Sequence, residues 1–182
     1  NPELPLDMRL DSRLGVTAAD LLMVLDEKQL AQLFFEAGGE MRAKAIARAI
    51  AKQRKYGKTF KTTGDLIELI QKVSPHRQGH LHPATKVFQA LRIAVNDELS
   101  NISDGLPVIF TLLQPGSRLV TISFHEGEDR IVKHLFKELE ASGEGILITK
   151  KPITPGEEEI KNNSRSRSAK LRALEKKHAA TN

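Results

Sequence analysis

Apolar positions along this chain recur first at helical intervals and later at strand intervals. Thr17 with Asp20, and Asp26 with Gln29, stand at capping-box spacing, and apolar residues follow three and four apart. Short helices are therefore predicted near 18–25 and 27–37. A longer helix is predicted from Glu40 to Lys55, with Ala43, Ile46, Ala47 and Ile50 on its apolar side and the cations largely elsewhere. Another is predicted over 64–73. The stretch "SPHRQGHLHP" then breaks the pattern. Pro83 suits the first turn of a helix with His82 as its cap. That helix is predicted to run to about Ser100, burying Phe88, Leu91, Val95 and Leu99.

The period then changes. Asp104 to Leu113 reads as a helix and "QPGS" as a turn. "RLVTISF" is rich in β-branched residues and apolar on both faces, which predicts a strand covered by helices on both sides. Ile131, Val132, Leu135, Phe136 and Leu139 return to helical spacing, and "GILIT" reads as a second strand. The alternation is an α/β pattern. Two strands do not make a sheet with two covered faces, so the pattern reads as part of a larger α/β sheet preceded by a helical segment. The final stretch, "NNSRSRSAKLRALEKKHAATN", reads as an exposed tail with one short helix.

Composition narrows the class. With 182 residues and 40% apolar content, the chain can bury a real core. No apolar run approaches a membrane span, and "NPELPLDMRLDSR" lacks the apolar centre of a signal peptide. Absence of cysteine excludes disulfides and thiolate metal sites and fits a cytoplasmic protein. The first residue is Asn1, which fits a processed or truncated product.

The net charge is +5, and its distribution says more than its size. From Glu40 to Lys61 there are eight Lys/Arg against Glu40 alone, and from Lys161 to Lys177 seven against Glu175 alone. Two separated basic blocks suit a polyanion such as nucleic acid better than two solvated faces. His76, His80 and His82 crowd one segment, but Gly79, Pro75 and Pro83 break any helical face and no carboxylate is near. They are read as a polar loop and a helix cap, with no metal site. No G-x-G-x-x-G, Walker, G-x-S-x-G or H-E-x-x-H motif occurs.

The stretch "ISFHEGEDRIVKHLF" carries the densest polar chemistry. His125 follows Phe124 at a predicted strand end, where α/β folds place ligands. Glu126, Glu128 and Asp129 fall in the first turn of the next helix, where the helix dipole favours negative charge. That explains Glu128 and Asp129 but leaves His125 and Arg130 as candidates.

Five ordered blocks carry a family resemblance: "LPLDMRLD", "GEMRAKAIARAI", "HPATKVFQALRIAVNDEL", "LLQPGSRLVTISFHEGEDRIVK" and "KPITPGEEEIKNNSRSRSAKLRALEK". Together they resemble the bacterial S-adenosylmethionine-dependent methyltransferases that act on the exocyclic N4 of a cytidine in 16S ribosomal RNA. The resemblance implies the C-terminal part of a Rossmann-like methyltransferase sheet with a helical insertion subdomain. The family's Gly-rich loop and acidic ribose position lie upstream of "PLDMR". About one mononucleotide-binding half is therefore expected to be missing, and the cofactor-binding residues with it. The family usually reads "FHSLEDR", whereas this chain reads "FHEGEDR", which places the charge of Glu126 beside the expected RNA pocket.

On this resemblance residues 1–16 are a loop leading from the absent part, and 17–81 the helical insertion. Residues 82–160 are the C-terminal part of the methyltransferase domain, and 161–182 a basic tail. Asp7 and His125 are the candidate catalytic residues, Asp7 as acceptor for the cytosine amine. The equally weighted alternative is that Asp7 caps a turn and pairs with Arg9. Arg9, Arg42, Arg48, Lys52, Lys55, Arg92, Asn96, Arg130, Arg165, Arg167, Lys170 and Arg172 are candidate RNA contacts. The implied cofactor is S-adenosylmethionine and the implied partner 16S rRNA or the small ribosomal subunit. A basic RNA-binding module without catalysis, and an inactive fragment, remain the other readings.

Overall fold

The computed structural model describes residues 1–75, 82 and 84–178. They form two compact units, Asn1–Glu98 and Leu99–Asn182.

The first unit is helical: α1 (Ala18–Val24), α2 (Glu27–Glu36), α3 (Ala43–Lys55), α4 (Thr63–Val73) and α5 (Ala84–Val95). Thr17, Asp26 and Thr62 each close a full capping box at a helix start, which satisfies amide donors the helix cannot pair. The helices bury one shared core that includes Leu22, Leu30, Phe34, Ile46, Ile50, Phe60, Leu66, Ile70 and Leu91. Each such side chain contributes roughly 1.5–3 kcal/mol by leaving water. Gly38 lies where α2 ends against α5, and a Cβ there would collide with the Lys86 carbonyl. Residues 1–16 are tied to this unit: Leu6 is buried, its N–H donates to Lys61 O at 2.9 Å, and Thr63 N–H donates to Leu4 O at 2.9 Å.

Two predicted boundaries shift. The helix expected to run from Pro83 to Ser100 ends at Val95, because Asp97 adopts a left-handed φ of 49°. The next helix, α6 (Glu98–Leu112), starts earlier than the expected Asp104. Helix α5 packs within the helical unit through Val87, Ala90 and Leu91.

The second unit holds β1 (Arg118–Ser123), α7 (Glu126–Ala141), β2 (Gly145–Leu147), α8 (Glu157–Asn162), a 3₁₀ turn at Ser164–Ser168 and β3 (Lys170–Lys176). The "QPGS" turn forms as read: Gly116 has φ of 82°, and Ser117 N–H donates to Gln114 O at 3.0 Å. The sheet order is β1-β3-β2, with β3 antiparallel to both neighbours. Leu119 pairs with Leu174, Thr121 with Arg172 and Ser123 with Lys170. Phe110, Leu119, Val132, Phe136 and Leu174 form the core.

Two expectations are corrected here. The segment read as an exposed basic tail contributes the central strand, because Leu171, Ala173 and Leu174 supply apolar positions and the backbone pairs on both sides. The strand expected to be covered on both faces is covered on one. Val120, Ile122 and Phe124 are each more than half exposed, at 53%, 58% and 53%. The architecture is mixed α and β with a small antiparallel sheet.

Candidate nucleic-acid interface

In the first unit the "PLDMR" segment forms a tight polar knot. Arg9 grips the Asp7 carboxylate with both arms, Nε to Oδ1 at 2.7 Å and Nη2 to Oδ2 at 2.9 Å. The Arg9 amide donates to Asp7 Oδ1 at 3.2 Å, and its Nη1 donates to Leu14 O at 2.7 Å. The guanidinium bond holds the Asp7 carboxyl below the usual carboxylate range. Met8 between them has a left-handed φ of 65°. Asn96 holds that loop from the end of α5. Its Nδ2 donates to Met8 O at 2.9 Å, and its Oδ1 accepts from Leu10 N–H at 2.7 Å. Asp7, Arg9 and Asn96 are thus brought together, with the turn-capping role of Asp7 directly visible.

The basic helix α3 presents its cations opposite its buried face of Ala43, Ile46, Ala47 and Ile50. Arg48, Lys52 and Lys55 are exposed and, with Ala51, line a groove of about 640 Å³ beside Asp26 and Glu27. Arg48 also meets Glu27 at 3.4 Å. Arg42, at the start of α3, donates to Val73 O at 2.8 Å, which ties it to the end of α4. Arg54, absent from the candidates, caps α1 by donating to Leu22 O and Leu25 O. Arg92 stands apart from this face and pairs in a two-armed bridge with Glu98 at 2.7 and 2.9 Å.

In the second unit His125 caps α7. Its Nδ1 accepts from Glu128 N–H at 3.3 Å, while Glu128 Oε2 accepts from His125 N–H at 3.2 Å and Phe124 N–H at 2.7 Å. This capping box accounts for the His125 position that dipole reasoning left open. The buried Nε2 lies 3.3 Å from Glu128 Oε1, a distance of attraction, but without hydrogen-bond alignment. Arg130 is exposed on α7, and Arg165 and Arg167 are exposed on the 3₁₀ turn. Lys170 pairs with Glu126 and lies 3.8 Å from Asp129.

Arg172 departs from its expected place among the phosphate contacts. It is 7% exposed and donates to Asp129 through Nε at 2.7 Å and Nη2 at 3.0 Å. The bond from Arg172 holds the Asp129 carboxyl below its ordinary range. A side chain facing a phosphate cannot also be sealed inside a buried pair. Nothing local in the sequence signals this pairing, because the partners stand 43 residues apart.

Of the histidine cluster, His76 and His80 fall outside the described residues. His82 accepts from Ala84 N–H through Nδ1 at 3.2 Å, so it sits as the expected cap of α5.

The described residues do not fit an S-adenosylmethionine site. In an open α/β sheet such a site lies past the strand ends at a parallel switch point, beside the first strand's glycine turn. Here β1 passes into α7 through Phe124 and His125, and the His125 imidazole occupies the Glu128 amide. The first turn of α7 carries Glu126, Glu128 and Asp129. Among the described strands, every neighbour pair is antiparallel, so there is no parallel switch point.

Residues 1–177 match the sequence profile of the MraW methylase family, and the chain belongs to that family. Among curated relatives, the ribosomal RNA small subunit methyltransferase H of Coprothermobacter proteolyticus is 49% identical over 172 residues, covering 94% of this chain and 57% of the relative. The proteins of that name from Solibacter usitatus and Synechocystis sp. are each 48% identical and also cover 94% of this chain, with 58% and 55% of their own lengths matched. The chain therefore spans little more than half the length of these relatives. Among the described residues, no helix is long and apolar enough to cross a membrane.

Proposed function

We propose that this chain serves, within an S-adenosylmethionine-dependent methyltransferase, to grip 16S ribosomal RNA and present a cytidine for methylation at N4. The observation that carries this reading is the exposed row of Arg48, Lys52 and Lys55 on one face of α3, in a chain belonging to the MraW methylase family. Family membership supplies the reaction class, and the cation row supplies affinity for a phosphate backbone. The methyl donor is assigned to the share of the relatives' length that this chain does not match. Cytoplasmic rRNA, free or within the small subunit, is the substrate.

Holding the amine in position supplies most of the rate for such a transfer, since the cytosine nitrogen is a weak nucleophile with its lone pair delocalised into the ring. Asp7 is assigned the acceptor role for the amine. Arg9 keeps its carboxyl ionised, so it accepts a hydrogen bond throughout the pH range of interest. A carboxylate held this low is a weak base. A weak base suffices where nitrogen becomes cationic on methylation and readily loses its proton. His125 is assigned to shaping the strand end. Arg130, Arg165, Arg167 and Lys170 are assigned to further phosphates.

A second reading, an RNA-binding module without catalysis, is favoured by one observation. Both catalytic candidates are already engaged, Asp7 by Arg9 and His125 as a cap. A chimera separates the two. This chain replaces the matching segment of the Coprothermobacter proteolyticus relative, and 16S rRNA treated with the chimera and S-adenosylmethionine is digested to nucleosides for mass spectrometry. N4-methylcytidine is expected, reduced at least tenfold by Asp7→Asn. A chimera that folds and binds S-adenosylmethionine yet leaves cytidine unmethylated, or methylates carbon 5, contradicts the proposal.

A further inference from the structure

We propose that the groove between α2 and α3 is a stacking subsite for a base of single-stranded RNA, with Phe35 as the platform and Lys44 and Arg48 on the flanking phosphates. This deepens the RNA-gripping reading and rests on it.

Helix α2 buries Leu30 and Phe34, which anchor it to the core. Phe35, the next residue, faces outward and is 56% exposed. A lone exposed aromatic is ordinary on a protein surface. This one instead lies in a groove of about 520 Å³ whose lining also includes Ala31, Lys28, Lys44 and Arg48. Phe35 and Ala31 form its apolar floor, and three cations outnumber the two acids Glu27 and Glu36 around it, which suits a nucleotide with its π-face and anionic phosphate a short distance apart.

Charge complementarity favours a polyanion. Among the described residues no ion pair holds Lys28 or Lys44, whereas the acids in the groove are partly engaged. Glu36 accepts from Gln32 at 3.1 Å and Glu27 meets Arg48 at 3.4 Å. The groove also continues. Arg48 lines both it and the neighbouring groove that holds Lys52 and Lys55. Lys44, Arg48, Lys52 and Lys55 follow one another at helical spacing on α3. With 1.5 Å of rise per residue they span about 16 Å, enough for a backbone to run on beyond the stacked base. In an A-form duplex the base faces are covered by their neighbours, so an unpaired segment is the occupant this chemistry selects.

The test uses this chain and a single-stranded RNA oligonucleotide containing 2-aminopurine. Phe35→Ala is expected to weaken binding about tenfold and to abolish the fluorescence change on binding. The chain has no tryptophan, so Phe35→Trp installs one reporter. It is expected to keep parental affinity and to lose emission when RNA is added. The parent is expected to prefer the single strand over a duplex of the same sequence. Thermal unfolding of each variant confirms its fold. If the parent binds RNA but Phe35→Ala binds equally well and the Phe35→Trp emission does not move, the stacking site is overturned while RNA gripping stands. If the parent binds no RNA, both fall. If Phe35→Ala changes only the sedimentation of the chain and not RNA binding, the face is a protein contact and the subsite is overturned.

Discussion

Asp129 and Arg172 form the most consequential pair at the scale of single residues. Both are almost fully buried, and two parallel bonds join them. Removing one partner of such a pair leaves the other charge buried without compensation, which costs about 3–5 kcal/mol. Asp129→Asn is expected to lower the stability of the sheet-containing unit by about that much at neutral pH, measured by denaturant titration. The pH dependence follows from the lowered carboxyl. An unfolded aspartate titrates near 3.8, so the stabilisation is complete above that value. It is lost as pH falls through the lower folded value, and the gap between parent and variant is expected to close there. Equal acid limbs for the two proteins would contradict the assignment. The sequence shows the local half of this chemistry and not the distant half. Capping boxes at Thr17, Asp26 and, in the structure, His125 are written within four residues. The Asp129–Arg172 bond and the Asn96 hold on Met8 and Leu10 depend on strand pairing and helix docking that no local pattern encodes.

At the scale of elements, the helices were legible because their apolar period and caps agree. Helices α1, α2, α3 and α4 begin and end within a few residues of the sequence reading. Strand β3 was not, because "KLRALEK" has charges at four of seven positions and apolar residues at positions that also fit a helix. Tertiary pairing overrides that local preference: the backbone is claimed by β1 on one side and β2 on the other. The break at Asp97 carries no local signal either. The left-handed backbone there has no glycine to announce it. Leu174, fully buried at the centre of the sheet, tests the corrected element. Leu174→Ala is expected to cost about 2–5 kcal/mol in denaturant unfolding. Ending the chain after Ala169 is expected to abolish amide-exchange protection in β1. A silent truncation would return the segment to an exposed tail.

At the scale of the whole molecule, the surface divides its work. Val120 and Ile122 on one face of β1, and Phe124 just past its end, are exposed, an apolar row that the sequence marks as apolar but not as uncovered. The helical unit presents the cations of α3, a surface that the sequence shows as a charge imbalance. What sequence did not show was which cations are free to meet a ligand. Arg54 and Arg172 are spent on internal partners and Arg48 meets Glu27 at the surface, while Lys52 and Lys55 face solvent with no ion pair among the described residues. Counterion release gives the gripping of RNA by this chain a direct test. Binding of a 16S rRNA fragment is measured across a salt series for the parent and for Arg48, Lys52 and Lys55 changed together to Gln. The parent is expected to show a linear fall of log affinity with log salt, about 0.7 per single-strand phosphate contact. The triple variant is expected to bind more weakly to all sequences alike, with a slope flattened by about 0.7 per lost contact. The same affinity and the same slope for both proteins would contradict the claim and leave the α3 cations as solvated surface.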